Sequence, residues 1–213
     1  MIRDSLGWEE YFRWEKEELT AGIYYNHRQE PEGFLFYWIA DDIFHIKESV
    51  CLTQQAHHGV WNFINAHFSM VTDIKGKTYT NEPIAFLLED SDIIETIQPY
   101  YMARIVDVEK FLQYFPFRQK ENEQGFHFLV RDPLLEWNQG PFALTFDEGG
   151  FKITKEPIGP AVKLDIQSLT SMLFSYKRPS YLAKIGRLEA DQAVIFRLEN
   201  LIPLEVPYFS DYF

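Results

Sequence analysis

The amino-acid sequence predicts an α+β fold built from two successive parts, each with its own strands and helices. Residues 1–98 mix alternating apolar patterns with helical ones, which is typical of a sheet layered with helices. Residues 99–213 hold a hairpin pattern first and three helical patterns afterwards. The 213 residues, 46% of them hydrophobic, are enough for one large hydrophobic core or two ordinary ones.

The first part begins with a predicted amphipathic helix over residues 8–20, where aromatic residues recur at helical spacing. Residues 21–40 predict two strands, because two apolar runs flank a turn that contains Pro31 and Gly33. Residues 42–52 alternate between two faces and therefore predict a third strand.

Thr53 has the side chain of a good N-cap and predicts that a helix begins immediately after it. One side of that helix is expected to be lined by Ala56, Val60, Trp61, Ile64 and Phe68. A turn-rich piece at 75–83 then leads out of the first part.

The second part begins with residues 99–115, which predict a strand that runs into a short helix. Within the stretch RIVDV, the expected strand alternates Arg104, Val106 and Val108 with Ile105 and Asp107. Residues 126–132 predict another strand, and residues 142–156 predict a hairpin in which FALTF and FKITK flank DEGG.

Three helices are predicted in the last third of the chain. The first lies in KLDIQSLTSMLFSYKRP and is expected to end at Pro179. Its apolar face is expected to contain Leu164, Leu169, Met172, Leu173 and Tyr176. The second, SYLAKIG, stops at Gly186, and the third, EADQAVIFRLENLIP, ends at Pro203.

Composition argues against several classes of partner. The net charge of −12 would repel a phosphate backbone, so we expect no nucleic-acid partner, whereas it favours cationic small molecules. No apolar run approaches the roughly 20 residues of a membrane span. The single cysteine and the spacing of the six histidines predict no metal site. The N-terminus carries charges where a signal peptide is apolar, so we expect a cytoplasmic protein.

Familiar catalytic and coenzyme motifs are absent from the sequence. It contains neither GxGxxG nor GxxxxGK[ST], and no glycine-spaced loop suited to the pyrophosphate of coenzyme A. The hydrolase motif GxSxG is also missing. Asp107 alternates onto a face with Ile105, and a buried carboxylate needs a partner or a purpose. Arg104 and Asp107 are therefore candidate substrate-binding residues, although a structural ion pair is the favoured interpretation of both.

Four stretches together resemble a known family. They are YYMARIVDVEKFLQYFPF, DPLLEWNQGPFAL, KLDIQSLTSMLFSYKRPSYLAKIGRL and the terminal PYFSDYF. Their order and spacing resemble the enhanced intracellular survival family of GNAT N-acetyltransferases, over nearly the whole chain. The resemblance implies a degenerate, GNAT-like α/β central domain over 1–98 and a sterol carrier protein-like α+β domain over 99–213.

The resemblance also implies where the coenzyme lies. In this family an N-terminal GNAT domain holds acetyl-CoA and the tyrosine that acts as general acid, and nothing in this chain matches that domain. We therefore expect a sequence that lacks the catalytic N-terminal domain, binds no cofactor of its own and is inactive alone. The implied partners are a cationic amine (an aminoglycoside, a polyamine or a lysine side chain) and other copies of the chain in a hexamer.

The C-terminal aromatic segment is the candidate for catalysis. The resemblance implies that the α-carboxylate of Phe213 acts as general base toward the substrate amine, with Tyr212 and Asp211 as tentative substrate-binding residues. Burial against aromatic rings would raise the low pKa of a terminal carboxylate toward a useful range. From the residues alone, an apolar plug that seals the core is the simpler interpretation.

Two further interpretations stay open. A sterol-carrier-like domain could bind an apolar ligand between its sheet and its helices and catalyse nothing. The two parts could also serve only to build an oligomer.

Overall fold

The computed structural model describes residues 3–13, 19–79, 82, 84–88, 92–98, 101–118, 124–147 and 150–207. The chain divides into two compact units, with the division between Glu95 and Thr96. Each unit has its own sheet and its own cluster of buried apolar side chains. Among the described residues, no helix has the length and apolar character needed to cross a membrane.

The first unit is built on a four-stranded sheet. Its elements in chain order are α1 (Ser5–Phe12), β1 (Thr20–Tyr25), β2 (Pro31–Ala40), β3 (Ile43–Cys51), α2 (Gln54–Asn65), β4 (Asp73–Gly76) and α3 (Ile84–Leu87). The strand order is β1-β2-β3-β4, with antiparallel pairing between the first three strands and parallel pairing between β3 and β4.

Local signals account for the predicted strands and for helix α2. The helix predicted over residues 8–20 has other bounds, because α1 spans Ser5–Phe12 and Thr20 already lies in β1. Asp41 and Asp42 connect β2 to β3 with φ angles of 52° and 58°, which match the two-residue turn that suits twisted hairpins. The Thr53 hydroxyl accepts a 3.1 Å hydrogen bond from the amide of Ala56 and caps α2, as predicted. Phe68 is an exception, because α2 ends at Asn65 and the Phe68 side chain is exposed.

Helix α2 and the aromatic residues of α1 pack against the sheet. Leu35 and Phe44 are buried with Val60 and Ile64 of α2 in one apolar cluster. The rings of Trp8, Tyr11 and Phe12 lie between 5.4 and 6.2 Å from the ring of Phe36, measured between centroids. These contacts stabilise α1 through its aromatic side chains.

A β-bulge interrupts the alternation expected for the third strand. Phe36 pairs with Glu48 and Tyr37 with Ile46, so Lys47 is the extra residue of β3. The Lys47 ammonium donates a 3.0 Å hydrogen bond to the carbonyl oxygen of Tyr11 in α1. The bulge therefore connects β3 to the first helix.

The second unit contains a five-stranded sheet, four α-helices and one 3-10 helix (Glu136–Asn138) among its described residues. Its elements are α4 (Val108–Tyr114), β5 (Phe126–Arg131), β6 (Gly140–Asp147), β7 (Gly150–Thr154), β8 (Ala161–Asp165), α5 (Ile166–Leu173), α6 (Pro179–Lys184), β9 (Leu188–Glu189) and α7 (Gln192–Leu201). The strand order is β7-β6-β5-β8-β9, and only the pairing of β5 with β8 is parallel.

The core of this unit lies between the sheet and the helices. In β5, the alternate residues Phe126, Phe128 and Val130 are buried, as expected for a strand with one face on a core. They belong to one apolar cluster with residues from α4, α5, α6 and α7. The hairpin of β6 and β7 and the helices α6 and α7 agree with the predictions from turn and cap residues.

Four expectations for the second unit are wrong. Tyr176, expected on the apolar face of α5, lies beyond its end at Leu173 and is exposed. Residues 104–107 form no strand, and regular structure begins only with α4. Leu164 lies in β8 rather than in a helix, because Asp165 accepts a 2.7 Å hydrogen bond from the Ser168 amide and caps α5 there. Pro179 begins α6 instead of ending α5.

The exposure of neighbouring residues in β5 predicts an unequal response to truncation. Phe128 is fully buried and Leu129 is 39% exposed. We expect Phe128→Ala to lower the free energy of unfolding by roughly 3–5 kcal/mol, and Leu129→Ala by less than about 1 kcal/mol. Urea denaturation of both variants measures this difference. Equal losses would contradict the assignment of Phe128 to the core.

Candidate functional site

A fully buried carboxylate lies at the end of β5. Asp132 has no exposed surface, and its Oδ1 accepts hydrogen bonds from the amides of Leu134 at 3.0 Å and Leu135 at 3.2 Å. Nη2 of Arg104 lies 2.6 Å from both of its oxygens. The turn after β5 is thus wrapped around one negative charge, and an arginine from outside the turn neutralises it.

Asn138 extends this contact to the start of α4. Its Nδ2 donates to Asp132 at 3.0 Å, and its Oδ1 accepts from the amide of Val108 at 2.9 Å. Nε1 of Trp137 donates to the carbonyl of Val106 at 2.9 Å. Arg104, Asp132 and Asn138, which we call the Asp132 cluster, therefore hold the chain before α4 against the turn after β5.

Hydrogen bonding determines the charge state of this cluster. Burial alone would raise the pKa of Asp132, but donation from Asn138, Leu134, Arg104 and Leu135 outweighs it and lowers the pKa to about 2. The carboxylate is ionised at neutral pH. The Arg104 guanidinium binds Asp132 through Nη2, whereas its Nε is buried without a hydrogen-bond partner.

Asp107 has a different environment from the one predicted. It is the N-cap of α4, where its Oδ1 accepts a 3.0 Å hydrogen bond from the amide of Lys110. Its Oδ2 lies 3.1 Å from the Lys110 ammonium, and about a third of its side chain is exposed. The hydrogen bond from the Lys110 amide lowers the pKa of Asp107. Asp107 is therefore a capping carboxylate and does not lie on a buried strand.

Arg104 and Asp107 line the same open groove, which has a volume of about 450 Å³. Its walls are mostly apolar and include Phe111, Tyr114 and Phe115. Both candidate residues already have partners, and a role for either in substrate binding stays a prediction.

The remaining candidate residues, Asp211, Tyr212 and Phe213, lie outside the described residues. The described chain continues to Pro207, whose carbonyl accepts a 3.2 Å hydrogen bond from the hydroxyl of Tyr101.

Sequence reasoning missed Asp132 and Asn138. Both lie in the stretch DPLLEWN, which was identified only as part of a family resemblance. A signal was present, because an aspartate that follows a buried strand and precedes proline is typical of a side chain that bonds to its own turn.

Two family models match the sequence. Residues 1–105 match the model described as an acetyltransferase (GNAT) domain, and residues 108–210 match the model described as a sterol carrier protein domain. The fold is therefore a GNAT-like domain followed by a sterol carrier protein-like domain, which confirms the predicted fold class. No curated protein matches the sequence significantly.

Solved structures of N-acyltransferases have the same fold. A protein from Enterococcus faecalis V583, described as a "probable N-acyltransferase", is 29% identical, with a TM-score of 0.89 over 100% of this chain and 54% of that chain. A GCN5-related N-acetyltransferase from Anabaena variabilis is 27% identical, with a TM-score of 0.80 over 95% of this chain and 53% of that chain.

The fold extends to a more distant protein. Eis1 from Mycobacterium abscessus is 16% identical, with a TM-score of 0.70 over 92% of this chain and 51% of that chain, which shows a shared fold alone. The chain spans about half the length of each of these three proteins.

The Asp132 cluster predicts a strong and local effect of removing one charge. Asp132→Asn leaves Arg104 without its buried counterion, so we expect the free energy of unfolding to fall by roughly 2–4 kcal/mol. Asp107→Asn is the matched control, since asparagine caps helices as well as aspartate, and it should change stability by less than about 0.5 kcal/mol. Urea denaturation measures both, and similar losses would argue against the cluster.

The low pKa of Asp132 also predicts a pH dependence. Because this pKa is about 2 in the folded chain and about 3.9 in an unfolded one, the folded chain binds fewer protons between these values. The stabilisation is complete above about pH 5, one unit above the unfolded pKa, and is lost as the pH falls toward 2. The difference in unfolding free energy between the wild type and Asp132→Asn should therefore shrink over this range. A constant difference from pH 5 to pH 2.5 would contradict the assignment.

Proposed function

We propose that this chain serves an N-acetyltransferase that transfers an acetyl group from acetyl-CoA to a primary amine. The observation that carries the proposal is the similarity of the whole chain, at a TM-score of 0.89, to a protein described as a "probable N-acyltransferase". Because the match covers 100% of this chain, both parts of the chain support the proposal together.

Acetyl-CoA is bound, in this proposal, by a part of the enzyme other than these residues. The sequence has no glycine-rich loop that would hold a pyrophosphate on backbone amides. The chain also covers only about half of the similar proteins. This chain supplies the substrate side of the active site, and its net charge of −12 favours a cationic acceptor such as an aminoglycoside, a polyamine or a lysine side chain.

The α-carboxylate of Phe213 is the proposed general base. The amine nitrogen attacks the thioester carbonyl carbon only when it is neutral, so one proton must leave the nitrogen. The carboxylate takes this proton and the neutral nitrogen attacks. The carbon–sulfur bond then breaks, and the second proton that the amide nitrogen must lose passes, through an acid elsewhere in the enzyme, to the thiolate of coenzyme A. Asp211 and Tyr212 would lie beside the amine and orient it.

An apolar-ligand carrier is less well supported. In the second unit, fully buried side chains such as Phe126, Phe142, Leu169 and Leu198 belong to one apolar cluster between sheet and helices. A carrier would need that space for its ligand. Assembly into a homo-oligomer stays a prediction, and light scattering tests it by measuring the molar mass in solution.

A change of chain end tests the proposed base. One glycine added after Phe213 in the chromosomal gene moves the carboxylate by one residue and leaves every side chain in place. In protein isolated from those cells, we expect kcat for acetylation of a primary amine to fall at least about 100-fold, since an essential base is misplaced. The KM for acetyl-CoA should not change, and it is the internal control.

A panel of aminoglycoside, polyamine and lysine-peptide substrates identifies the acceptor in the same assay. Calorimetric titration of the 213-residue chain with acetyl-CoA should show no stoichiometric binding. Tight binding in that titration would refute the proposal that acetyl-CoA is bound by another part of the enzyme. An unchanged kcat in the glycine-extended protein would refute the role of the Phe213 carboxylate.

A further inference from the structure

Four side chains of the second unit bind the segment that follows α7. This segment, residues 202–207, is called the exit segment because it leads from α7 to the last six residues of the chain. The four residues, which we call the anchor residues, are Tyr101, Arg118, Ser175 and Arg178. They come from three separate stretches of the sequence, since Ser175 and Arg178 lie only three positions apart.

The first anchor point is the carbonyl oxygen of Pro203. It accepts hydrogen bonds from Oγ of Ser175 at 2.5 Å and from Nη1 of Arg178 at 2.9 Å. The same guanidinium donates from Nε to the carboxylate of Glu199 at 2.9 Å and from Nη2 to the Glu199 carbonyl at 2.6 Å. A planar group held on two edges keeps one orientation, so Arg178 fixes the direction in which the chain leaves α7.

The next two anchor points lie further along the exit segment. Nη2 of Arg118 lies 2.7 and 2.8 Å from the two oxygens of Glu205, and the Arg118 amide donates to the carbonyl of Leu201 at 2.8 Å. The Tyr101 hydroxyl donates to the carbonyl of Pro207 at 3.2 Å. Nη2 of Arg178 also donates to the Ile202 carbonyl at 3.4 Å, and beyond Ile202 the contacts fall on residues 203, 205 and 207.

These contacts limit how far the chain end can travel. Six residues follow Pro207 and span at most roughly 20 Å when fully extended, whereas the twelve residues that follow α7 span roughly twice that distance. Halving the reach lowers the accessible volume roughly eightfold and raises the local concentration of the carboxylate by the same factor.

Fold stability does not explain the outer anchors. The side chains of Arg118 and Glu205 are 45% and 75% exposed, and such surface pairs contribute little to the free energy of unfolding. The pair instead holds the exit segment at Glu205 in one position on the second unit.

We propose that the four anchor residues position the C-terminal segment, so that the terminal carboxylate is presented to the amine along one path. This inference rests on the function proposed above. Tyr101, Arg118, Ser175 and Arg178 touch neither substrate nor coenzyme in it and act through the exit segment alone.

Trimming by carboxypeptidase A tests the anchoring without reference to catalysis. On the 213-residue chain, Arg118→Glu and Tyr101→Phe should speed the release of Phe213 and Tyr212 roughly two- to fivefold each, as expected for the loss of a surface contact. The double variant Arg118→Glu with Glu205→Arg restores the ion pair and should restore the slow rate. Leu204→Ala, an exposed position in the same segment, is the matched control and should trim like the wild type.

Acetylation by protein isolated from cells that carry the same changes tests the positioning. We expect the double variant Tyr101→Phe with Arg118→Glu, which leaves the contacts at Pro203 in place, to lower kcat roughly fivefold, because ten residues instead of six then follow the last anchor point. The KM for acetyl-CoA should not change, and adding Glu205→Arg to this variant should restore part of kcat. Thermal unfolding of each variant checks that the fold is retained.

The outcomes separate this inference from the proposed function. Unchanged trimming in Arg118→Glu and Tyr101→Phe overturns the anchoring, and faster trimming with unchanged kcat overturns the positioning. If anchor variants trim faster while the glycine-extended protein keeps its full kcat, the role of the carboxylate fails and the anchoring stands as a structural feature only.

Discussion

The ionised carboxylate of Asp132 has no contact with solvent, and the local structure of the second unit depends on keeping it satisfied. An ion in the protein interior that lacks partners costs several kcal/mol, which is a large part of the stability of a domain of this size. Its donors come from its own turn, from Asn138 and from Arg104. The charge is therefore tolerated only when the turn after β5 and the chain before α4 are assembled together.

The start of α4 follows from this requirement. Asn138 binds the carboxylate with its amide nitrogen and the Val108 amide with its oxygen, so one side chain satisfies both the buried charge and the first turn of the helix. The groove beside α4 and the position of Phe111 in its wall are set by where that helix begins.

Local signals made much of the fold predictable. The two-residue turn at Asp41 and Asp42 and the cap at Thr53 act through neighbouring backbone groups, and the strands and helix beside them were recovered. Failures occurred where a short pattern lacked such a signal. The alternation of RIVDV suggests a strand, but Ile105 is buried because its amide binds Thr170 and its side chain joins a core built from distant residues.

Predicting the candidate site was harder for the same reason. Asp132 and Asn138 meet partners that lie close to 30 residues away in sequence, and no periodicity reports such a pairing. A run of apolar residues also does not show where a strand ends and the following helix begins. Leu164 continues the apolar spacing of α5 while lying in β8, and only the capping geometry of Asp165 separates the two elements.

The exit segment is gripped at Pro203 and Pro207 through main-chain oxygens, which every amino acid possesses. Substitution of either proline therefore leaves the acceptor in place. The loss of a donor side chain at 101, 175 or 178, in contrast, removes a hydrogen bond that no substitution in the exit segment can restore. Among homologous sequences, we therefore expect residues 101, 175 and 178 to change slowly and residues 203 and 207 to change freely.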